Sequence, residues 1–358
     1  PLALARLEKD QSAESLLLIL RKVFDAYRIT CVNAVVADGG TNIISAVNYL
    51  SSTGAIYVSC FSHVGNNALK SVFQDENVSS EGDINETFIK FGKLRKKTRS
   101  TIGAATLSDC MEANGQSQRQ VPGGSLTRIS ASIKQAAFAT EYSSSLLDFQ
   151  IARKYNGLDE DDLQLLEDFS TSLGPLKKFL DRSQADDFFL GEAVASSVSL
   201  VGELLKVARN EESTPFSKEI AKACAKYFIQ TCHRSFLTQH HVPAALEKSF
   251  RRYDATPLSC ALYLDPRYNF DVIMQSLTDN VRTFDRLVLS DMEAPLSYTY
   301  SKEGILRTLA AAYSNSTVIT DVSAMEQLLQ PYLHSTDRIV NLFKHVEAVE
   351  SLRSTVAS

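Results

Sequence analysis

The chain has 358 residues, of which 44% are hydrophobic and 22% charged, and these proportions are typical of a folded protein with a large core. The formal net charge is −5, so no overall positive field draws the chain onto nucleic acid, and any contact with DNA must come from a local basic patch. The six cysteines are scattered, and no signal peptide or membrane-length apolar run is visible, which favours reduced thiols in a cytosolic or nuclear protein.

Two short apolar runs near the start of the chain predict neighbouring buried strands. The first covers residues 32–37 and ends on Asp38, and the second covers residues 55–58 and leads to Cys60 and then His63. An apolar-periodic segment follows each run, so the pattern predicts a strand, helix, strand crossover within a sheet. Because parallel strands end at the same edge of a sheet, Asp38, Cys60 and His63 are expected to face one crevice.

The residues at these strand ends resemble two motifs of the hAT superfamily of DNA transposases. Asp38 and Asn42 match the Asp and the last Asn of that family's T-D-N-x-x-N motif. Cys60, His63 and Asn66 match its C-x-x-H-x-x-N block, which follows one strand later in the family. The strand-end position of the Asp and the spacing of the second block carry the resemblance together.

Two further blocks follow in the order that the family has them. Arg128 lies in a segment that looks like the family's T-R-W-x-S motif, with Ile129 in the place of the Trp. Asp265 and Arg267 lie in a segment that looks like its L-D-P-R-[FY] motif. The residue types favour a structural role for this last block, in which Pro266 fixes a turn, Asp265 caps the next helix and Arg267 pairs with a carboxylate.

The resemblance spans residues 16–270 and implies an RNase H-like fold that carries a large helical insertion. The expected fold class is therefore α/β plus all-α. We expect a partial RNase H-like domain over residues 1–106, a linker loop over 107–125 and a helical domain over 126–358. Apolar residues at helical spacing predict a first helix over residues 12–27. Periodicity in the later part of the chain predicts helices over 146–155, 160–180, 190–208, 216–236, 243–253, 270–288, 301–314 and 335–352, with Asp159 and Ser335 as N-caps.

Asp38 is the strongest candidate for catalysis that the resemblance identifies. In RNase H-like enzymes, carboxylates at adjacent strand ends hold two divalent metal ions roughly 4 Å apart, so Asp38 is the expected ligand of Mg²⁺ or Mn²⁺ in a competent enzyme. The structural alternative is an Asx turn in which the carboxylate caps Gly40 or Thr41. His63 either contributes to the same polar site, as the resemblance implies, or caps its own helix. Only one of the three acids that the family needs is recognised, so no cofactor is expected for the chain as given.

A dense basic segment over residues 88–102 is the second candidate site. One interpretation is a helix that contacts phosphates; the other is the solvated face of a connecting helix, and the sequence does not separate them. The candidate nucleic-acid-binding residues are Lys93, Arg95, Lys96, Lys97 and Arg99, to which the resemblance adds Arg128.

Cysteine and histidine residues are densest near Cys224, Cys232 and His233, with His240 and His241 a few residues further on. Their spacing places them only loosely on one helical face, and neighbouring apolar residues favour a packed helix with exposed histidines at its end over a metal site. The Cys60 and His63 pair has zinc-like spacing, but no second pair at matching spacing accompanies it.

The sequence therefore predicts a protein derived from a hAT transposase, without strand-transfer chemistry as given, that binds nucleic acid or protein in the nucleus. The first alternative is a fragment of an active, metal-dependent transposase or RNase H-like nuclease whose other acids lie outside these 358 residues. The second alternative is a scaffold that binds only proteins. DNA, protein partners and a second copy of the chain are the expected partners, and a membrane is not.

Overall fold

The computed structural model describes residues 12–29, 34–38, 40–50, 56–123, 130–185, 187–239, 256–265, 267–288 and 298–300. Most of these residues are helical. The helices are α1 (Ala13–Ala26), α2 (Thr41–Leu50), α3 (Phe61–Gln74), α4 (Glu76–Glu81), α5 (Ile84–Thr98), α6 (Thr101–Ala113), α7 (Ser130–Glu141), α8 (Ser143–Ala152), α9 (Glu160–Ser172), α10 (Gly174–Ser183), α11 (Leu190–Arg209), α12 (Pro215–Thr231), α13 (Thr256–Leu264) and α14 (Phe270–Val288). A 3-10 turn over His233–Phe236 follows α12. The strands are β1 (Ala34–Ala37), β2 (Ile56–Ser59), β3 (Thr238–Gln239) and β4 (Tyr298–Thr299).

Strands β1 and β2 form a two-stranded parallel sheet. Ala34 pairs with Ile56 and Ala37 with Ser59, and α2 connects the two strands. This confirms the predicted crossover, and each of the two strands has four described residues. The remaining strands, β3 and β4, form a separate antiparallel pair that the sequence did not predict.

Side-chain caps explain where several helices begin. The Ser12 side chain accepts a hydrogen bond from Ser15 N at the start of α1, which confirms the predicted first helix. Asp159 and Asp162 form a reciprocal capping box at the start of α9, and this confirms Asp159 as a cap. Each such bond satisfies a backbone donor that the first turn of a helix leaves unpaired.

The core lies where α11 and α12 pack against each other, with α13 and α14 against α11 and with α3 and α9 against α12. Aromatic side chains join the early and late parts of the chain. Phe88 of α5 packs edge-on against Phe169 of α9 with ring centroids 5.2 Å apart, and Phe73 of α3 contacts both rings. The domain division near residue 106 stays a prediction, and buried side chains from both sides of that position belong to one contiguous core.

Several predicted boundaries differ from the structure for local reasons. Residues 107–113 belong to α6, so the predicted linker begins with helix and only residues 114–123 of its described part lack it. The single helix predicted over 160–180 is two helices that meet at Leu173, because Pro175 lacks an N–H donor and starts a new first turn. The polar segment after α3 contains α4, which Asp75 caps through Asn77 N.

Helix α7 was not predicted, because its many small and polar residues give weak periodicity. The helices predicted over 243–253, 301–314 and 335–352 lie outside the described residues.

Candidate functional site

The ends of β1 and β2 are tied together at one edge of the small sheet. Cys60 N donates a hydrogen bond to Ala37 O at 2.8 Å. The Tyr57 hydroxyl reaches across from β2 and donates to Asp38 O at 3.0 Å. Asp38 and Cys60 therefore leave the sheet side by side, as the strand pattern predicts, and α3 starts from this edge.

The carboxylate of Asp38 makes a local contact with its own turn. Its Oδ1 atom accepts a hydrogen bond from Gly40 N at 3.3 Å, and the side chain is exposed. This contact is the Asx turn that was the structural alternative for Asp38. Asn42, the other motif residue of this block, lies exposed in the first turn of α2.

His63 and Asn66 lie on α3 and are half-buried. Among the described residues, no hydrogen bond or ion pair joins His63 to Asp38, and the N-cap of α3 is Cys60, which makes no side-chain capping bond. Asn66 Nδ2 donates to Ser62 O at 2.9 Å, one turn back in the same helix. The helix-cap role considered for His63 is therefore wrong, and Asn66 has a local structural contact.

A two-metal site would need several carboxylates around Asp38. Within the part of the chain that the structure describes, no group of three or more His, Cys, Asp or Glu side chains is placed to hold a metal ion. One exposed carboxylate that already accepts a backbone hydrogen bond is too small a donor set. The described residues at this edge do not fit the divalent metals of RNase H-like chemistry.

Helix α5 arranges the basic segment on separate faces. The helix is amphipathic, and its buried residues recur with the helical period. They are Ile84, Thr87, Phe88, Phe91, Leu94 and Thr98. Lys93, Lys96 and Lys97 are all exposed and are spaced three and four residues apart, so they form one outward stripe. We call these three residues the lysine stripe. Their position in the last turns of α5 also places positive charge near the negative end of the helix dipole.

Lys90 of the same helix has a structural role. Its Nζ atom lies 2.8 Å from Asp162 Oδ2, and Thr87 Oγ1 donates to Asp162 Oδ1 at 2.8 Å. Burial alone raises the pKa of Asp162, but the hydrogen bonds from Lys90 and Thr87 outweigh it and hold that pKa below its usual value. The basic segment therefore includes one lysine that neutralises a buried carboxylate.

Arg95 and Arg99 lie one turn apart on another side of α5, toward the segment 118–123. Arg95 is half-buried and Arg99 is exposed. Arg119, which sequence reasoning did not select, lines the same cavity as both. The structure thus separates the five basic candidates on α5 and its C-cap into the lysine stripe and an arginine pair, while Arg128 lies outside the described residues.

The Asp265 block forms a half-buried charge network with Glu192 of α11. Arg267 donates to Asp265 Oδ2 at 2.7 Å and to Glu192 Oε2 at 3.0 Å, which confirms that Arg267 pairs with a carboxylate. Asp265 does not cap the next helix, because α14 begins only at Phe270 and Asn269 Oδ1, directly before it, accepts the hydrogen bond from Val272 N. The Asp265 carboxylate instead accepts hydrogen bonds from the backbone N and the Nε atom of Arg267. This block ties the start of α11 to the turn before α14.

The cysteine and histidine group is packed in the core. Cys224, Cys232 and His233 are buried, so the prediction of an exposed His233 is wrong. His233 Nε2 lies 3.1 Å from Ser197 Oγ, and burial lowers the pKa of His233 to about 3. Burial raises the pKa of the Cys232 thiol to about 12, so this thiol is held in its unreactive protonated form. His240 and His241 lie outside the described residues.

Neither a protein-family model nor a curated protein sequence matches this chain. Among the helices that the structure describes, none combines the length and the apolarity needed to cross a bilayer.

Proposed function

We propose that this protein binds DNA through the lysine stripe of α5 and derives from a hAT-type transposase. The observation that carries the binding is the placement of Lys93, Lys96 and Lys97 on one exposed face. Among the described residues none of the three forms an ion pair, whereas Lys90 on the same helix is held by Asp162. Lys97 Nζ also lies 5.9 Å from the centroid of the Tyr155 ring, a cation–π contact that leaves its charge in place. Ammonium groups in a row that no described carboxylate neutralises are suited to successive phosphates, which supply most of the affinity in sequence-independent binding.

The proposed descent rests on the strand-edge motifs. Asp38 follows the first strand of a parallel pair, and Cys60, His63 and Asn66 follow the second, in the order of the transposase motifs. Under this proposal the small sheet is the remnant of an RNase H-like domain over residues 1–106, and residues 126–358 are the helical part. A nuclear location follows from the proposed DNA partner.

We further propose that strand-transfer chemistry has been lost. Asp38 caps its own turn, and the described residues around it offer no acid cluster for Mg²⁺ or Mn²⁺. Incubation of the purified protein with a nicked DNA duplex and either metal is expected to leave the DNA intact. Robust cleavage that Asp38→Ala abolishes would establish the alternative, a piece of an active nuclease.

Binding is tested by fluorescence anisotropy on a labelled duplex at low salt. The variant Lys93→Gln, Lys96→Gln, Lys97→Gln removes the stripe while leaving the buried face of α5 unchanged. A matched control removes three other exposed lysines that form no ion pair with described residues, Lys70→Gln, Lys134→Gln and Lys178→Gln. We expect the first variant to lose at least tenfold in affinity and the control to lose much less. Equal losses would mean that only total charge matters, and no binding by the natural sequence would favour a protein-only scaffold.

A further inference from the structure

A cavity of about 510 Å³ lies beside Arg95 and Arg99, between α5, α6 and the segment 118–123. Its volume falls in the range of sites that hold small molecules. Three arginines line it, Arg95, Arg99 and Arg119, and apolar side chains of α6 and the segment line another part.

The positive charge in this cavity is largely uncompensated. Arg119 Nη1 lies 3.6 Å from Glu141 Oε2, and both side chains are mostly exposed, so that pair is weak. Arg95 and Arg99 form no ion pair with any described residue. The Nε atom of Arg95 is buried and finds no hydrogen-bond partner in the part of the chain that the structure describes. A buried donor without an acceptor costs about 1–3 kcal/mol, so the Arg95 guanidinium is held at this wall with part of its hydrogen-bonding capacity unused.

The wall opposite α5 is held in place by hydrogen bonds and does not need a ligand to form. The Tyr142 hydroxyl donates to Ser117 O at 3.0 Å, and Gln135 Nε2 donates to Pro122 O at 3.3 Å. Arg119 N lies 3.5 Å from the sulfur of Met111 on the floor of the cavity. Such preorganisation lowers the entropic cost of binding.

Gly123 brings the backbone against the Arg95 guanidinium. A Cβ atom added to Gly123 would lie 2.6 Å from Arg95 Nη2, so any larger residue would displace the guanidinium. The glycine therefore leaves room for Arg95 in its present position.

We propose that this arginine cavity binds a small phosphate monoester that carries a flat or apolar group, of the size of a nucleoside monophosphate. A planar guanidinium group can donate two parallel hydrogen bonds to two oxygens of one phosphate, which suits arginine to a defined phosphate site. The lysine ammonium group acts as a point charge, which suits it to the exposed stripe. Ala104, which is exposed, and the edge of Val121 supply a small apolar surface for the rest of the ligand, whereas Leu107 and Met111 line the cavity but are almost fully buried. The site is independent of DNA binding because the arginine cavity and the lysine stripe lie on different sides of α5.

The test is calorimetric titration of the full chain with adenosine 5′-monophosphate, inorganic phosphate and adenosine. We expect saturable binding of the monophosphate and at least tenfold weaker binding of adenosine, which lacks the charged group. The variant Arg95→Met, Arg99→Gln should weaken the monophosphate at least tenfold, whereas Lys93→Gln, Lys96→Gln, Lys97→Gln should not change it. Failure of the natural sequence to saturate below about 10 mM, a dissociation constant too weak for a built site, would overturn the proposal.

A second variant keeps the test valid if the arginine substitutions disturb folding. Gly123→Ala leaves every charge in place and displaces only the Arg95 guanidinium, so it should weaken the monophosphate with an unchanged circular dichroism spectrum. Unchanged affinity in Gly123→Ala and in the arginine variant would contradict the site.

A competition experiment identifies the source of the phosphate. A 5′-phosphorylated oligonucleotide that displaces the monophosphate, where its 5′-hydroxyl counterpart does not, would identify a strand end as that source. The absence of such competition would identify a free nucleotide, and either result supports the phosphate site.

Discussion

Lys90 Nζ lies 2.8 Å from Asp162 Oδ2, and this contact joins the basic helix α5 to the start of α9 across the core. Asp162 is also the last member of the capping box of α9, so a single buried carboxylate serves a helix start and a helix–helix contact. Lys90 is therefore unavailable for phosphate, in contrast to Lys93 one turn away on the same helix.

Replacing Lys90 should destabilise the protein more than replacing a neighbouring lysine. Lys90→Met leaves Asp162 buried with only Thr87 and its own capping contacts, and the loss of a hydrogen bond to a charged group costs about 2 kcal/mol. Lys93→Met, at an exposed position, is the control and should change the free energy of unfolding by less than about 0.5 kcal/mol. Urea denaturation measures both, and equal effects would contradict the structural role of Lys90.

Glu192 should be more important for stability than a typical surface acid. Its side chain is buried and accepts hydrogen bonds from Arg182 and Arg267, and these bonds hold its pKa below the usual value despite burial. Glu192→Gln removes the charge that faces both arginines, and we expect a loss of about 2–3 kcal/mol. The exposed pair Lys177 and Asp181 provides the control, because Asp181→Asn should cost less than about 1 kcal/mol.

If Asp181→Asn were as damaging as Glu192→Gln, burial would not explain the difference between the two sites. Thermal unfolding at neutral pH distinguishes these outcomes.

His233 should make the protein acid-sensitive. Its folded-state pKa is lowered to about 3 by burial, whereas an unfolded histidine titrates near 6.5. Between these values the unfolded chain binds one more proton, so stability falls as the pH drops below about 6.5, by up to about 1.4 kcal/mol per pH unit. His233→Gln, which retains a side-chain amide near Ser197, should flatten this part of the profile. A profile of unchanged slope between pH 6.5 and 4.5 would contradict the assignment of the acid sensitivity to His233.

The sequence predicted the elements that depend on strong local signals. The strand, helix, strand crossover around Asp38 and the Asp159 cap are confirmed, because an apolar run or a capping side chain acts within a few residues. The predicted cap at Asp265 is wrong because α14 begins only at Phe270, directly after Asn269, which caps it. Asp265 and Asn269 are both residue types that cap helices, so residue type alone does not decide where the helix begins.

At the candidate site, too, some features could be predicted from the sequence and others depend on the folded arrangement. The basic character of α5 is visible in the sequence, but its separation into a lysine stripe, a buried Lys90 and an arginine pair depends on which face packs against α9. Arg119 was missed because it lies alone in a polar segment, and only folding brings it to the cavity beside Arg95. The acid at position 162 could have been noticed, since it stands three residues after Asp159 in a capping-box spacing.

The salt dependence of DNA binding tests the central claim most directly. The logarithm of the binding constant, plotted against the logarithm of the salt concentration, falls with a slope of about 0.9 for each phosphate contact. We expect the Lys93→Gln, Lys96→Gln, Lys97→Gln variant to show a slope smaller by about 2–3 than the natural sequence. We expect the Lys70→Gln, Lys134→Gln, Lys178→Gln control to keep the natural slope, and an unchanged slope in the stripe variant would contradict DNA binding through α5.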